Sequence, residues 1–559
     1  MGNSLIANFR ESVQAQVDKT SLITSDWITN NFTHPRSDRL SWSWEHHEFQ
    51  IDIADCKEQE VAVIKPAQTG LSTLQIRLIL AFLAQNDYLK AAYVLPTSAF
   101  AREFTQSRFN PAIESSPKIA QLVSNDTDNT SIKKIGSCFL ILRGTSGTTS
   151  AISVDLDLLI VDELDFCSQD VLSSFSSRLQ HSDLKLKREF STPTLPGFGI
   201  SARYAESSQA IRMVKHETCG TWVSLSFFND VVIPGFDKPM SDFRVDHLPL
   251  VDVKQAWYKC PHCGNPIDES NLADPDKREW VDTHPGHFRK GFRVTPWDLV
   301  KYNPLAEVLG DIRKYHYGDW VNFRTGLEFE SADNSFMTSV IERNTVLQLL
   351  SIDDLITGGY YGLFIGVDLG KVAHVVVGAA SEKGLDVLCA QRVEVAKLKD
   401  QNLGKLLVRL SRAVRCPRQV VDSMPDYSVA LHLHAMNSGF GAVYGPNATV
   451  LDIYVWDEKK GVVRIDRDLH FDDLANAVNG GQIRFPKGEP LMKQHLSVMK
   501  KVTVETAKGK VKKWISTSDE DHYGHALGYC WAAYASVAQR YTFSPLILPP
   551  NFGKVKMKT

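Results

Sequence analysis

Between residues 61 and 191 five short apolar runs recur: VAVIK (61–65), AAYVL (91–95), CFLIL (138–142), LDLLIVD (156–162) and KREFS (187–191). Helical patterns such as LSTLQIRLILAFLAQ lie between some of them. Runs this short, without polar alternation, read as strands buried on both faces, and strands alternating with helices build a parallel sheet with helices on either side. The first half of the chain is therefore expected to be α/β. At 559 residues the chain is long enough for about two to four domains with well-buried cores. Its 43% hydrophobic and 23% charged residues are globular values, and no stretch reaches the ~18 unbroken apolar residues of a membrane span. A membrane protein and a disordered chain are both excluded.

The N-terminus lacks the apolar core of a signal peptide, and Ile6 stands where a myristoylation signal has Ser or Thr, so the chain is expected in the cytosol. Nine cysteines are too sparse for a disulfide scaffold, and only Cys219, Cys260 and Cys263 have ligand-like spacing. A net charge of −3, from 62 Lys and Arg against 65 Asp and Glu, gives no global attraction to nucleic acid but leaves room for segregated faces.

Texture divides the chain. Residues 1–50 are polar and aromatic and read as an arm lying on a domain, followed by an α/β domain over 51–330. Within it, about 205–300 breaks the strand–helix rhythm with paired metal-type ligands and reads as an inserted subdomain. Residues 331–359 are polar, then helical, then Gly-Gly, and are expected to link two domains. Three consecutive strand-like runs (LFIGVDLG, AHVVVGAA, DVLCAQRVEV) then precede alternating helix and strand, which predicts a ribonuclease-H-like sheet over 360–540. Residues 541–559 are Pro-rich and then basic, and read as a flexible tail.

The run VAVIKPAQTGLST sets a buried strand before a Gly-containing turn and a helix, so that backbone N–H groups and the positive helix end face a phosphate. Lys65, Gln68, Thr69, Gly70, Ser72 and Thr73 are the candidate ATP contacts, although Lys65 opens the loop and Leu71 stands in the usual lysine position before Ser72. About ninety residues on, LDLLIVDELDFC ends a strand in Asp162-Glu163. Asp162 suits the water shell of a nucleotide-bound Mg²⁺ and Glu163 the activation of attacking water. The alternative is that Asp162, Glu163 and Asp165 merely cap the next helix. A third strand, REFSTPTLPG, ends in small hydroxyl residues before two prolines, a loop suited to sensing the γ-phosphate.

His216-x-x-Cys219-Gly and Cys260-x-x-Cys263-Gly repeat one spacing, and three thiolates with one imidazole suit a closed structural Zn²⁺ site. A competing set replaces His216 by His262. In the second half, Asp368 and Asp422 each close an apolar strand, where an unpaired carboxylate is costly to bury. The acidic turn STSDEDHYGHALGYC is the third piece of a cluster that could hold two Mg²⁺ or Mn²⁺ ions cutting a phosphodiester. Asp426 reads as a helix cap, and the basic hairpin-like ETAKGKVKKW as either a DNA-backbone contact or a solvated turn.

Taken in this order, KPAQTGLST, Asp162-Glu163-Leu164 and Ser191-Thr192-Pro193-Thr194 resemble the P-loop ATPase of the tailed-phage terminase large subunit, specifically its lambda-type branch, where the lysine also opens the phosphate loop. The resemblance casts Ser191, Thr192, Pro193 and Thr194 as the motif coupling hydrolysis to movement. DWVNFRTGLEF (319–329) looks like the pattern closing the family's first half, with Asn322 before Phe323 here. Glu520-Asp521-His522-Tyr523-Gly524-His525-Ala526-Leu527 resembles the family's last nuclease motif, which implies Asp521 as a metal ligand beside Asp368 and Asp422, with His525 in the place of a final acid, so that His525 or Asp519 is left to complete the ligand set. The resemblance implies ATP with Mg²⁺, two nuclease metals, double-stranded DNA, a small terminase subunit, the portal protein of a procapsid, a homo-oligomeric ring and a host-cytoplasmic setting. A DNA-repair or mobile-element ATPase-nuclease, and a structural homologue with decayed sites, are the rival expectations.

Overall fold

A computed structural model describes residues 25–35, 37–145, 154–398, 402–445, 452–506 and 509–541. Residues 1–24 of the expected arm and 542–559 of the expected tail lie outside the described residues. The chain forms two compact units, Met1–Phe329 with Thr503–Val511, and Glu330–Val502 with Lys512–Thr559.

All five apolar runs of the first unit are strands, at Glu60–Ile64, Lys90–Leu95, Cys138–Gly144, Leu158–Asp162 and Leu186–Ser191. They lie parallel in one sheet of eleven strands among the described residues. Successive residues of a strand point to opposite faces. Val61, Tyr93, Leu158 and Ile160 thus enter one core, and Ala62, Ile64, Val94 and Val161 another. A sheet buried on both sides cannot show polar alternation, and the runs are unbroken except in Leu186–Ser191, where Lys187, Arg188 and Glu189 are buried and Lys187 pairs with Glu189 at 2.8 Å. The order in space differs from that in sequence: Leu186–Ser191 lies between Glu60–Ile64 and Leu158–Asp162. The helix Leu71–Gln85 is buried almost all round, against Ile28, Phe32, Trp42 and Phe49 among others. From Ser25 onward the expected arm is therefore part of this core, with the Arg77 guanidinium 4.5 Å from the Trp42 ring centroid.

The ends of the 205–300 segment join the sheet: Arg289–Arg293 pairs in parallel with Glu60–Ile64, and Ala210–Lys215 pairs with both Arg289–Arg293 and Arg278–Asp282. Residues 331–359 belong to the second unit rather than bridging two units, because their apolar residues are needed in its core. Phe336, Ile341, Ile352 and Leu355 are buried there, and Thr345–Leu347 pairs with Ile483–Pro486.

In the second unit, Leu363–Asp368, Val372–Ala380 and Leu385–Glu394 are antiparallel neighbours. On the other edge of Leu363–Asp368, Gln419–Asp422 and then Phe440–Tyr444 continue in parallel. The helix His522–Tyr541 packs across this sheet, and it comes closest at Gly366, where an added Cβ would lie 2.1 Å from the Cys530 nitrogen and 2.2 Å from the Ala526 carbonyl oxygen. Both obstacles are backbone, so neither can rotate away. Gly366→Ala should therefore destabilise the second unit by about 1–3 kcal/mol or more, read as a lower urea midpoint. Gly445→Ala, with nothing within 4 Å of the new Cβ, is the control and should change little. Equal midpoints for the two variants would mean that the helix does not seat on this strand.

Candidate functional site

The strand order of the first unit brings its three motifs to one edge. Lys65 and Glu163 follow strands that flank Leu186–Ser191, and Lys65 Nζ lies 2.8 Å from Glu163 Oε1. Lys65 is 3% exposed; burial disfavours its charge, but Glu163 and Asp162 outweigh this and raise its pKa. Burial, with the charge of Glu163 added, raises Asp162, which accepts a hydrogen bond from the Tyr93 hydroxyl at 2.7 Å and faces the Ser72 hydroxyl. Gln68 (φ 61°) and Glu163 (φ 55°) both sit in the left-handed region, a strained backbone that clusters where a turn has to aim groups at a ligand. Gly70 (φ 78°) opens the helix, and the Gln50 side-chain amide donates to the Thr69 carbonyl at 2.9 Å. A cleft of about 360 Å³ is lined by Lys65, Gln68, Thr69, Gly70, Ser72, Thr73, Asp162 and Glu163, closed on another side by Phe100, Phe104 and Arg108. Amide donors, a cation and a carboxylate around that volume fit a Mg²⁺-nucleotide.

The segment Ser191-Thr192-Pro193-Thr194 is tied to this edge at both ends. The Lys65 amide donates to the Ser191 carbonyl at 3.1 Å, and the Asp165 amide to the Ser191 hydroxyl at 3.1 Å. Asp165, expected at most as a helix cap, instead reaches across. Its carboxylate accepts from the Thr194 amide (2.8 Å), the Thr194 hydroxyl (2.7 Å) and the Ile200 amide (2.7 Å). Burial pushes it up to about 7. The 319–329 motif supplies the remaining ties: Asn322 donates to the Thr194 carbonyl at 2.9 Å, and the Ala67 amide to the Phe323 carbonyl at 2.8 Å. Thr192 and Pro193 are buried within this mesh.

The two knuckles of the 205–300 segment converge. His216, Cys219, Cys260 and Cys263 offer ligand atoms all within 4.8 Å of one another, and His262 is outside that set. His216 Nδ1 is 3.4 Å from both Cys219 Sγ and Cys263 Sγ, and Cys219 Sγ is 4.0 Å from Cys260 Sγ. His216 Nε2 meets the Pro266 carbonyl at 3.0 Å. That contact puts the ring proton on Nε2 and leaves Nδ1 free as a donor to metal. The Thr221 amide holds the Cys219 thiol down, at about 5. Soft thiolates with one oriented imidazole fit a tetrahedral Zn²⁺.

In the second unit Asp368 and Asp422 end adjacent parallel strands, while Asp521 immediately precedes the helix His522–Tyr541. Burial raises Asp422, and the charge of Asp368 adds to this. Asp521 is drawn down: desolvation opposes its charge, but the hydrogen bond from His525 prevails. His525 has both nitrogens engaged, Nε2 with Asp521 at 3.3 Å and Nδ1 with the Tyr444 hydroxyl at 3.0 Å. Asp519 is exposed, and Asp426 caps the next helix by accepting from the Ser428 amide. The groups closest to Asp368 in ligating geometry are His374 and His522, which the sequence reading did not select. Tyr93, Asp165 and His374 escaped it because each stands inside or beside an apolar run and reads there as core or cap. The His522 position was visible in the DHYGH run but went unused.

Residues 37–280 match the sequence family of the phage terminase large subunit gpA, ATPase domain. No curated protein matches the chain. Among solved structures, the HK97 bacteriophage large terminase matches at 13% identity with a TM-score of 0.48, over 93% of this chain and 99% of that one. A large terminase from a thermophilic bacteriophage, in complex with ADP, matches at 10% identity with a TM-score of 0.28, over 84% of this chain and 93% of that one. The family match spans Lys65–Thr73, Asp162-Glu163, Ser191–Thr194 and the cysteine pairs, so that over residues 37–280 the chain is similar to the ATPase domain of phage terminase large subunits.

Proposed function

We propose that this protein is the motor and nuclease subunit that drives double-stranded DNA into a viral procapsid with ATP and cuts it there. The observation that carries this is Lys65 paired with Glu163 across Ser191, inside a stretch of terminase ATPase sequence. In that pairing Glu163 is neutralised. A bound triphosphate offers Lys65 a denser negative charge, so the lysine moves to the phosphates and Glu163 is released to orient and deprotonate water. Ser72 and Asp162 would hold a Mg²⁺, which would supply charge neutralisation for the nucleotide's phosphates. Change at the γ-phosphate then reaches Ser191-Thr192-Pro193-Thr194 through the Lys65 amide and Asp165.

The second unit, with its three antiparallel strands continued by two parallel ones, supports a ribonuclease-H-like nuclease. Asp368, Asp422 and Asp521 would hold its metals, and the chemistry those would supply is activation of water and stabilisation of charge on the leaving oxygen. His525, engaged on both nitrogens, positions Asp521. His216, Cys219, Cys260 and Cys263 hold a structural Zn²⁺. The partners are DNA, a small terminase subunit, the portal protein and further copies of the chain in a ring, in the host cytoplasm. No helix among the described residues is long and apolar enough to cross a membrane.

Glu163→Gln should retain ATP binding and lose turnover, while Asp422→Asn should lose Mg²⁺- or Mn²⁺-dependent DNA cleavage and keep DNA-stimulated ATPase within about threefold. If Glu163→Gln turns over ATP at the parent rate, the nucleotide site is misassigned. If Asp422→Asn cuts normally, the nuclease site is.

Elemental analysis of protein purified without chelator should find one Zn²⁺ per chain, lost in Cys263→Ser together with part of the first unit's thermal stability. Zinc-free parent protein would exclude the site.

Asp165 makes stability pH-dependent. Its folded pKa, about 7, lies above the unfolded value of 3.8, so the folded state binds the extra proton and its stability falls as pH rises between those values. Asp165→Asn cannot ionise, and its melting midpoint relative to the parent should therefore rise from pH 4.5 to pH 7.5. A difference that stays constant would show that Asp165 titrates as an ordinary carboxylate.

A further inference from the structure

Asp368 has a second set of neighbours besides the acids. On the antiparallel strand beside it, His374 stands directly opposite in register. His522 opens the helix with Nδ1 2.9 Å from Asp368 Oδ2. The two imidazoles stack, with centroids 4.7 Å apart and planes 15° from parallel. Ligand atoms of all three residues lie within 4.8 Å of one another. His374 is 4% exposed, and its Nδ1 is buried without a hydrogen-bond partner among the described residues. A buried ring nitrogen left unsatisfied is destabilising, and a ligand on it would relieve that. Arg392, opposite His374 on the next strand, opposes a cation here, while Asp521 and Glu520 beside His522 favour one.

We propose that Asp368, His374 and His522 form a binding site for a first-row transition ion such as Mn²⁺. Two imidazoles and one carboxylate suit such an ion better than Mg²⁺, which prefers oxygen ligands. The site lies on one flank of the Leu363–Asp368 strand, since His374 comes from the neighbour on one side and Asp422 from the neighbour on the other. Asp368 is then shared between a nitrogen-rich position and an all-oxygen one. The inference rests on the nuclease reading only for what the ion does; binding itself does not require it.

The test is pulsed electron paramagnetic resonance of the full-length protein with Mn²⁺ alone, reading ¹⁴N couplings from coordinated imidazole. The parent should show two nitrogens and His522→Ala one. Mn²⁺ affinity by calorimetry should fall at least about tenfold in His522→Ala. His522 is half-exposed and its variant should fold, so it carries the test even if the buried His374→Gln does not; a folded His374→Gln should also keep one coupling. His525→Ala should keep both couplings. No nitrogen coupling in the parent, or couplings that survive in His522→Ala and vanish in His525→Ala, would overturn the site. DNA cleavage measured in parallel separates the two claims. Nitrogen-coordinated Mn²⁺ without cleavage removes the nuclease reading and leaves the site, while cleavage without nitrogen coordination does the reverse.

Discussion

A lysine ammonium buried at the edge of a parallel sheet needs a negative partner, and in the first unit Glu163 supplies it from two strands away. Everything else at that edge follows from the need to hold the two side chains there. The strand Leu186–Ser191 keeps them at the right separation, the left-handed backbone at Glu163 turns its carboxylate back towards Lys65, and Tyr93 and Ser72 steady Asp162 from below and from the helix. Removing a lone charge from water is far more costly than removing a pair, so the pairing also explains why the loop can keep a buried cation without nucleotide.

The second dependence is on Asp165. A carboxylate with three donors from one segment fixes the position of that segment relative to the acidic strand end, and Asn322 and Phe323 fix it relative to the phosphate loop. Residues 191–194 therefore have few independent motions. A displacement at Lys65 or Glu163 is met by hydrogen bonds that must lengthen or exchange, so it is passed on to Thr194 and Ile200.

How much of this was legible in the sequence depended on whether the signal was local. Strands at 61–65, 91–95 and 156–162, and the acids that end them, announce themselves through composition. Strand order does not, because it is decided by which faces pack best over long separations, and with it went the adjacency of Ser191 to Lys65. Asp165 resembled any acid at a helix start until its partners, about thirty residues on, were seen. His374 lies within an apolar strand and offers no spacing to His522, some 150 residues away. The 331–359 segment read as a linker because its apolar residues are scattered among polar ones, yet Phe336 and Leu355 are wholly buried. Pattern alone cannot say which core they enter.

The segment carrying the knuckles leaves the first unit's sheet at Ala210–Lys215 and returns at Arg278–Asp282 and Arg289–Arg293, strands that lie side by side on the same flank. Both its ends are thereby anchored to one rigid margin, away from the acidic strand. Such an excursion behaves as a cassette: its length and surface can be rewritten without altering the spacing of Lys65, Ser191 and Glu163. Substitutions within the excursion can then change what its surface meets while the geometry around Lys65 and Glu163 stays as it is.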